Sequence, residues 1–267
     1  MQIVKLGGSV ITDKKIYKTF RPEVTNRLAR EIAESGTDVV IVHGAGSYGH
    51  IMAKKHRLND GYIEDSQLDG VSVVQRDVRE LNLHVMNALI DAGIKAVSIP
   101  PAVCVTMDSK DIFSLDYSRF EDYISMGLTP VTFGDVAVDN EIRFCICSGD
   151  LLVFHLARTL GAQRAIFVTD VDGIMSDTSG KRDIIPELKG INEFKDLDSV
   201  EIKKDDVTGK ITGKALIMLE LAQNGIEAVL LNGCEEWRLR SCLRGDGVLG
   251  TRASAVFQTE SDMNEDD

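Results

Sequence analysis

The feature that most limits what this chain can fold into is the exchange of short β-branched runs with longer helical stripes along its 267 residues. Val39-Val40-Ile41-Val42 is apolar at every position, the pattern of a strand covered on both faces of a parallel sheet. Further strands are expected at Ile3–Leu6, Ala96–Ile99, Thr129–Phe133, Ala165–Thr169 and Ala228–Leu231. Between them the apolar period changes to three and four. Val24, Leu28 and Ile32 repeat at spacing four within Pro22–Ser35, and Gly36 stops that helix. Val71, Val74, Val78, Leu81 and Val85 mark a long helix over Leu68–Ala92, ended by Gly93. Helices are also expected over Leu151–Leu160 and Ile211–Asn224, and Val136–Val138 and Ile142–Ile146 flank Asp139-Asn140 as a hairpin. His50 to Asp60 is polar and reads as irregular. Strand and helix in alternation require βαβ crossovers, so the expected fold is α/β, with a mostly parallel central sheet covered on both faces.

Charge narrows the function classes. Thirty basic against 42 acidic residues leave a formal charge of -12, and a basic face for nucleic acid or an anionic membrane is not expected. No run of about 18 uninterrupted apolar residues occurs, so no membrane span is expected. Met1 to Lys5 runs directly into a strand pattern with nothing resembling a signal peptide. The 5 cysteines show no framework spacing, and Cys145 and Cys147 read as apolar-type strand residues. The expectation is a soluble cytoplasmic protein with one domain over 1–258 and a disordered acidic tail over 259–267.

In open α/β sheets ligands sit beyond the carboxyl ends of the strands. Three turns occupy such places: Lys5-Leu6-Gly7-Gly8-Ser9, His43-Gly44-Ala45-Gly46-Ser47-Tyr48-Gly49-His50, and Thr169-Asp170-Val171-Asp172-Gly173. Paired glycines let backbone N–H groups converge on an anion, and a following helix adds its positive dipole end. Two such loops at neighbouring strand ends point to two phosphate groups, or to one polyphosphate approached from two sides. Gly44-x-Gly46-x-x-Gly49 satisfies the dinucleotide fingerprint literally, but no second strand ending in an acidic residue follows at the required distance. Gly209-Lys210-Ile211-Thr212-Gly213-Lys214-Ala215 is one residue short of a P-loop. Asp170-Val171-Asp172-Gly173 is similar to the nucleophile loop of haloacid-dehalogenase phosphatases, so a phosphate-ester hydrolase built on Asp170 stays open, as does a non-catalytic nucleotide sensor. From the residues alone, Lys5 suits β- and γ-phosphates, Lys14 reads as solvated, and His50 can reach an acceptor anion. Asp150 reads as an acidic residue at a helix start, or as the holder of Lys5 and Lys14. His43 satisfies local backbone groups, and His84 and His155 read as structural or surface.

In combination, Lys-x-Gly-Gly-Ser at Lys5–Ser9, the His43-Gly44-Ala45-Gly46 loop, Ser148-Gly149-Asp150, Thr169–Gly173, and Asp206-Val207-Thr208-Gly209 followed by Lys214 resemble the amino acid kinase family. The motifs keep that family's order over nearly the whole chain. The block from Lys5 to Lys14 and the loop from Val42 to His50 resemble its archaeal-type isopentenyl phosphate kinase branch. The resemblance implies a three-layer αβα sandwich and a homodimer. It also implies ATP-dependent phosphorylation of isopentenyl phosphate to isopentenyl diphosphate in isoprenoid biosynthesis, by an alternative mevalonate route; another small-molecule kinase of the family is the alternative. The part to about residue 147 is expected on the acceptor side and the part from about 148 on the nucleotide side. The catalytic residues implied are Lys5, Lys14 as a transition-state stabiliser, His50 and Asp150. Acceptor contacts are implied for Gly44, Ala45, Gly46, Gly49, His50, Ser148 and Gly149. ATP contacts are implied for Lys5, Gly7, Gly8, Ser9, Gly46, Thr169, Asp170, Asp172, Gly173, Gly209 and Lys214. Mg²⁺ is expected on the ATP phosphates, without protein ligands. The acceptor's alkenyl tail needs an apolar pocket, expected near Ile51-Met52 and the long helix. Lys210 stands where the family implies a second glycine, and Ile174-Met175-Ser176-Asp177-Thr178 replaces an aromatic and Asp-Pro.

Overall fold

The computed structural model describes residues 1–178, 181–190 and 211–254. In chain order the strands are β1 (Gln2–Leu6), β2 (Val39–His43), β3 (Ala96–Ser98), β4 (Val105–Asp108), β5 (Asp111–Leu115), β6 (Thr129–Phe133) and β7 (Asp135–Asp139). They continue with β8 (Arg143–Cys147), β9 (Arg164–Thr169), β10 (Met175–Thr178), β11 (Lys181–Ile184), β12 (Glu227–Asn232) and β13 (Thr251–Ala253). The helices are α1 (Gly8–Ile11), α2 (Pro22–Ser35), α3 (Gly46–Lys55), α4 (Ser66–Asp91) and α5 (Pro101–Cys104). After them come α6 (Ser118–Ser125), α7 (Gly149–Thr159), α8 (Ile211–Gln223) and α9 (Arg238–Arg244).

A seven-stranded sheet in the order β13-β12-β9-β1-β2-β6-β3 forms the middle layer, and only β13 runs antiparallel to its neighbour. The strand period of two sends Ile3, Val40 and Val42 to one face, and Val4, Leu6 and Ile41 to the other. Phe120 of α6, Leu152 and Leu156 of α7, and Met218 and Leu221 of α8 cover the first face. Leu28 and Ile32 of α2, Leu81 and Val85 of α4, and Leu239 and Leu243 of α9 cover the second. This is the expected three-layer αβα sandwich. Leu6 lies beside His43 and Val168, and His43 beside Phe133, so the ends of β1, β2, β6 and β9 meet at one edge of the sheet.

The hairpin expected around Asp139-Asn140 forms between β7 and β8. Its pivot is the Asp139 carboxylate, which accepts N–H groups from Ser109, Lys110, Glu141 and Ile142 and so ties the β4–β5 turn to the β7–β8 turn. These strands build a second sheet, β5-β4-β7-β8.

One expectation is overturned. His50 to Lys55 is not irregular but belongs to α3. Few apolar residues mark its period, and its buried Tyr48 and Ala53 show the packed side only once α4 lies against it. Tertiary packing, not local pattern, stabilises such a short helix.

Candidate active site

The paired loops are built backbone against backbone. β1 turns at Gly7, whose N–H donates to Val168 O at 2.8 Å, and β2 turns at Gly44, whose N–H donates to Leu6 O at 2.9 Å. A Cβ on Gly8 would stand 2.5 Å from Gly46 N, and one on Gly44 would stand 2.6 Å from Gly8 N. The glycines at 8 and 44 therefore answer a close approach. Gly46 opens α3 in the left-handed region at φ +51. Gly49 is just as confined, since its Cβ would stand 2.6 Å from Ala45 Cβ and 3.1 Å from Val78 Cγ1 of α4. His50 thus projects from a helix instead of from a loop, and its side chain lines a cavity of about 420 Å³ at the sheet edge.

Alternation along β1 directs Lys5 to the face covered by α7 and α8. There Lys5 Nζ stands 2.6 Å from Asp150 Oδ1, and Lys214 Nζ stands 3.0 Å from Asp150 Oδ2. Ser148 caps α7 by accepting the Leu151 N–H at 3.2 Å, which places Asp150 in the first turn. Lys5 and Asp150 are 6% and 7% exposed, so each charge depends on the other. Burial pulls the Lys5 ammonium down to about 8, with Asp150 opposing the fall and Lys214 and Lys14 adding to it. Burial would raise the Asp150 carboxyl, but the two ammonium groups outweigh it and hold the acid below its ordinary value.

Asp150 does not hold Lys14. Lys14 Nζ lies 3.7 Å from Asp170 Oδ2, and Ser9 Oγ donates to Asp170 Oδ1 at 2.7 Å. The two carboxylates divide the lysines because α7 carries Asp150 beneath the sheet edge, whereas Lys14 follows α1 and stands over the end of β9. Burial opposes ionisation of Asp170, and the Ser9 hydroxyl with the Lys14 charge still lowers its carboxyl.

Lys5, Gly7, Gly8, Ser9, Lys14, Gly44, Ala45, Gly46, Gly49, His50, Ser148, Gly149, Asp150, Thr169, Asp170 and Lys214 all line this cavity. Two expected residues lie elsewhere. Asp172 turns to Arg238 Nη1 at 2.6 Å and Asn232 Nδ2 at 3.2 Å, and Gly173 backs onto Ile184 and Thr251. Gly209 and the segment around Lys210 fall outside the described residues, as does the 259–267 tail. The apolar wall includes Val74 of the long helix, as expected, but not Ile51-Met52. Ala53, Val74 and Ile146 line the cavity, whereas Met52 packs into the core beside Val71 and Phe144. His43 is structural: it is buried, stacks on Phe133, donates from Nδ1 to Gly44 O and accepts from Asn82 at Nε2. Burial lowers it to about 4, so it stays neutral.

Sequence reasoning missed Lys54, one helical turn beyond His50, and Gly134-Asp135, which also line the cavity. Gly134-Asp135 follows β6 just as Gly44 follows β2, so the rule that drew attention to strand ends could have found it. Asp135 is 2% exposed, and burial raises it to about 6 although Arg79 Nη1 stands 3.3 Å away.

The chain matches the amino acid kinase family over residues 1–232. It is 35% identical over 261 residues to the isopentenyl phosphate kinase of Methanothermobacter thermautotrophicus, covering 94% of this chain and 98% of that one. It is likewise 35% identical to the Thermoplasma acidophilum isopentenyl phosphate kinase, over 87% of this chain and 92% of the other. A solved isopentenyl phosphate kinase superposes with a TM-score of 0.84 at 30% identity, over 95% of this chain and 100% of that chain.

Proposed function

The chain belongs to the amino acid kinase family, and from that premise we propose that it transfers the γ-phosphoryl group of ATP to isopentenyl phosphate, giving ADP and isopentenyl diphosphate. The observation that carries this reading is a single cavity with two unlike ends. At its polar end stand Lys5, Lys14, Lys214 and first-turn residues of α3 and α7; at its apolar end stand Ala53, Val74 and Ile146. Helix N-termini and ammonium groups suit phosphates, and a short hydrocarbon suits the apolar wall.

In the proposed arrangement isopentenyl phosphate lies along Gly44–His50 with its tail toward Val74, and ATP lies along Gly8, Thr169, Asp170 and Lys214. The part to about residue 147 then carries the acceptor side and the part from about 148 the nucleotide side, with Gly8 of the first part reaching the ATP phosphates. An acceptor phosphate oxygen forms its bond to the γ-phosphorus as the bond from that phosphorus to the β–γ bridging oxygen breaks. The acceptor is already anionic, so no general base is needed, and catalysis rests on alignment and on cations around the transferred group. Asp150 acts as a positioning residue that holds Lys5 and Lys214 apart and aimed at the phosphates. Mg²⁺ would be carried by the ATP phosphates, without protein ligands, and would neutralise charge there.

All five cysteines are free, which suits a reducing compartment, and we place the enzyme in the cytoplasm. The family resemblance implies a homodimer, which light scattering can weigh against the 29.3 kDa chain.

Purified protein with Mg-ATP and isopentenyl phosphate is expected to release ADP and form the diphosphate. Robust turnover of N-acetylglutamate, carbamate or UMP with none of isopentenyl phosphate would overturn the choice of acceptor. Free phosphate released from esters without ATP would overturn the kinase reading itself.

A further inference from the structure

Lys14 occupies an exposed lobe between Thr12 and Phe20, yet the reaction needs its ammonium in one place. Its side chain is 60% exposed, and its contact with Asp170 at 3.7 Å is too long to fix so flexible a residue. The lobe is held from behind, by α4. Asp77 of α4 is completely buried, although it does not line the cavity. Its Oδ2 accepts the Tyr17 hydroxyl. Its Oδ1 accepts from Arg76 at 2.8 and 2.9 Å and lies 3.5 Å from Lys18 Nζ. One turn further along α4 Glu80 pairs with Lys18, and another turn on His84 stacks on Phe20 with ring centroids 4.8 Å apart. Spacing of three and four places 77, 80 and 84 on one stripe of the helix.

That stripe meets only the far limb of the lobe, at 17, 18 and 20. The near limb is coupled to it by the Asp13 N–H donating to Thr19 O at 2.9 Å and by the Thr12–Phe20 bridge. A buried carboxylate is costly unless its partners are in place, so Asp77 favours the lobe conformation that delivers Tyr17 and Lys18 to it. The same helix carries Val74 into the cavity wall, so the acceptor pocket and the Lys14 lobe share one rigid support.

We infer that Asp77 is a positioning residue for phosphoryl transfer, holding the Lys14 lobe through Tyr17 and Lys18 so that the Lys14 ammonium stands at the transferred phosphate. The inference rests on the kinase reading and on Lys14 acting in the transition state. It is tested with Tyr17→Phe and Asp77→Asn, each in the natural background and with Lys14→Ala. In the natural background kcat should fall about 10- to 100-fold, the cost of a slightly misplaced group, with both KM values within about twofold. With Lys14→Ala already present, the same substitutions should lower kcat no further. Trypsin should cut the ligand-free Tyr17→Phe protein within 13–19 several-fold faster than the natural protein, at a temperature well below both melting transitions. Tyr17 is 40% exposed and loses only its hydroxyl, so this variant decides the matter even where Asp77→Asn does not fold. Equal losses in both backgrounds, or an unchanged kcat, overturn the inference. Lys14→Ala at wild-type kcat overturns it too, by removing the reading of Lys14 beneath it. Absence of any turnover by the natural protein overturns the kinase reading instead, a failure distinct from both.

Discussion

Lys5 has a pH signature that separates its chemical role from its structural one. Its ammonium is pulled from 10.5 to about 8 by burial, so between these values the unfolded chain binds more protons than the folded one. Stability from this group therefore rises with pH across that window, because the buried charge is relieved. Catalysis moves the other way, since the cation is lost. The pH profile of kcat/KM should show an alkaline limb near 8 with no matching loss in melting temperature; a profile flat to pH 10 would remove Lys5 from the phosphate site. His50 offers a second test. It lines the cavity from the second turn of α3, and in the proposed arrangement it would meet the acceptor phosphate as a neutral donor or a cation. His50→Gln keeps a donor, whereas His50→Ala does not. Ala should raise KM for isopentenyl phosphate or lower kcat far more than Gln does, with KM for ATP unchanged; equal near-wild-type rates in both would return His50 to the helix surface. Lys5 and Asp150 were legible from their place beside glycines at strand ends and Lys214 only through the family resemblance, but the grouping of all three was not. Lys14, expected at Asp150, pairs with Asp170 instead, and Lys214 takes the second oxygen of Asp150, because pairing depends on which helix reaches the sheet edge.

At the scale of elements, the glycine turns and the helices obey different rules. A Cβ at Gly8 or Gly44 would stand 2.5 or 2.6 Å from the facing backbone and force the loops apart, so Gly8→Ala or Gly44→Ala should each cost at least about 10²-fold in kcat/KM through lost alignment. Gly213 in α8 is the counterexample, with nothing among the described residues within 4 Å of its Cβ position. Gly213→Ala should stabilise the fold by about 0.5–1 kcal/mol in chemical denaturation. A loss of stability there would mean that the helix start needs glycine for another reason. Long periodic elements were legible: α2 has the expected bounds Pro22–Ser35, and α4 differs from Leu68–Ala92 only at its ends. The misses are short or locally ambiguous. β4 and β5 meet at Ser109-Lys110, both at positive φ without a glycine to signal the turn, and the Asp139 carboxylate caps that turn from a distant strand. The three residues of β13 gain strand character only by pairing with β12. α3 owes its helix to α4.

Across the whole molecule, the cavity joins strand ends from both halves of the chain, so a ligand that fills it should brace the entire sheet. ATP at about 100 times its Kd should add about 2.7 kcal/mol and raise Tm by about 5–10 °C in thermal melts. A shift absent with ATP but present with a phosphate ester would argue against nucleotide binding. The amino-acid sequence by itself determined the layer architecture, because β-branched runs buried on both faces admit a parallel sheet and little else. It also determined that glycine pairs followed by helices stand at the strand ends, where converging N–H groups suit an anion. The tertiary structure alone decided which carboxylate serves which lysine, that Ala53 and Ile146 join Val74 of the long helix in the cavity's apolar wall where Ile51-Met52 was expected, and that Asp172 turns away to Arg238. Each of these depends on distances between residues remote in the chain, and periodicity reports only which face of its own element a side chain occupies.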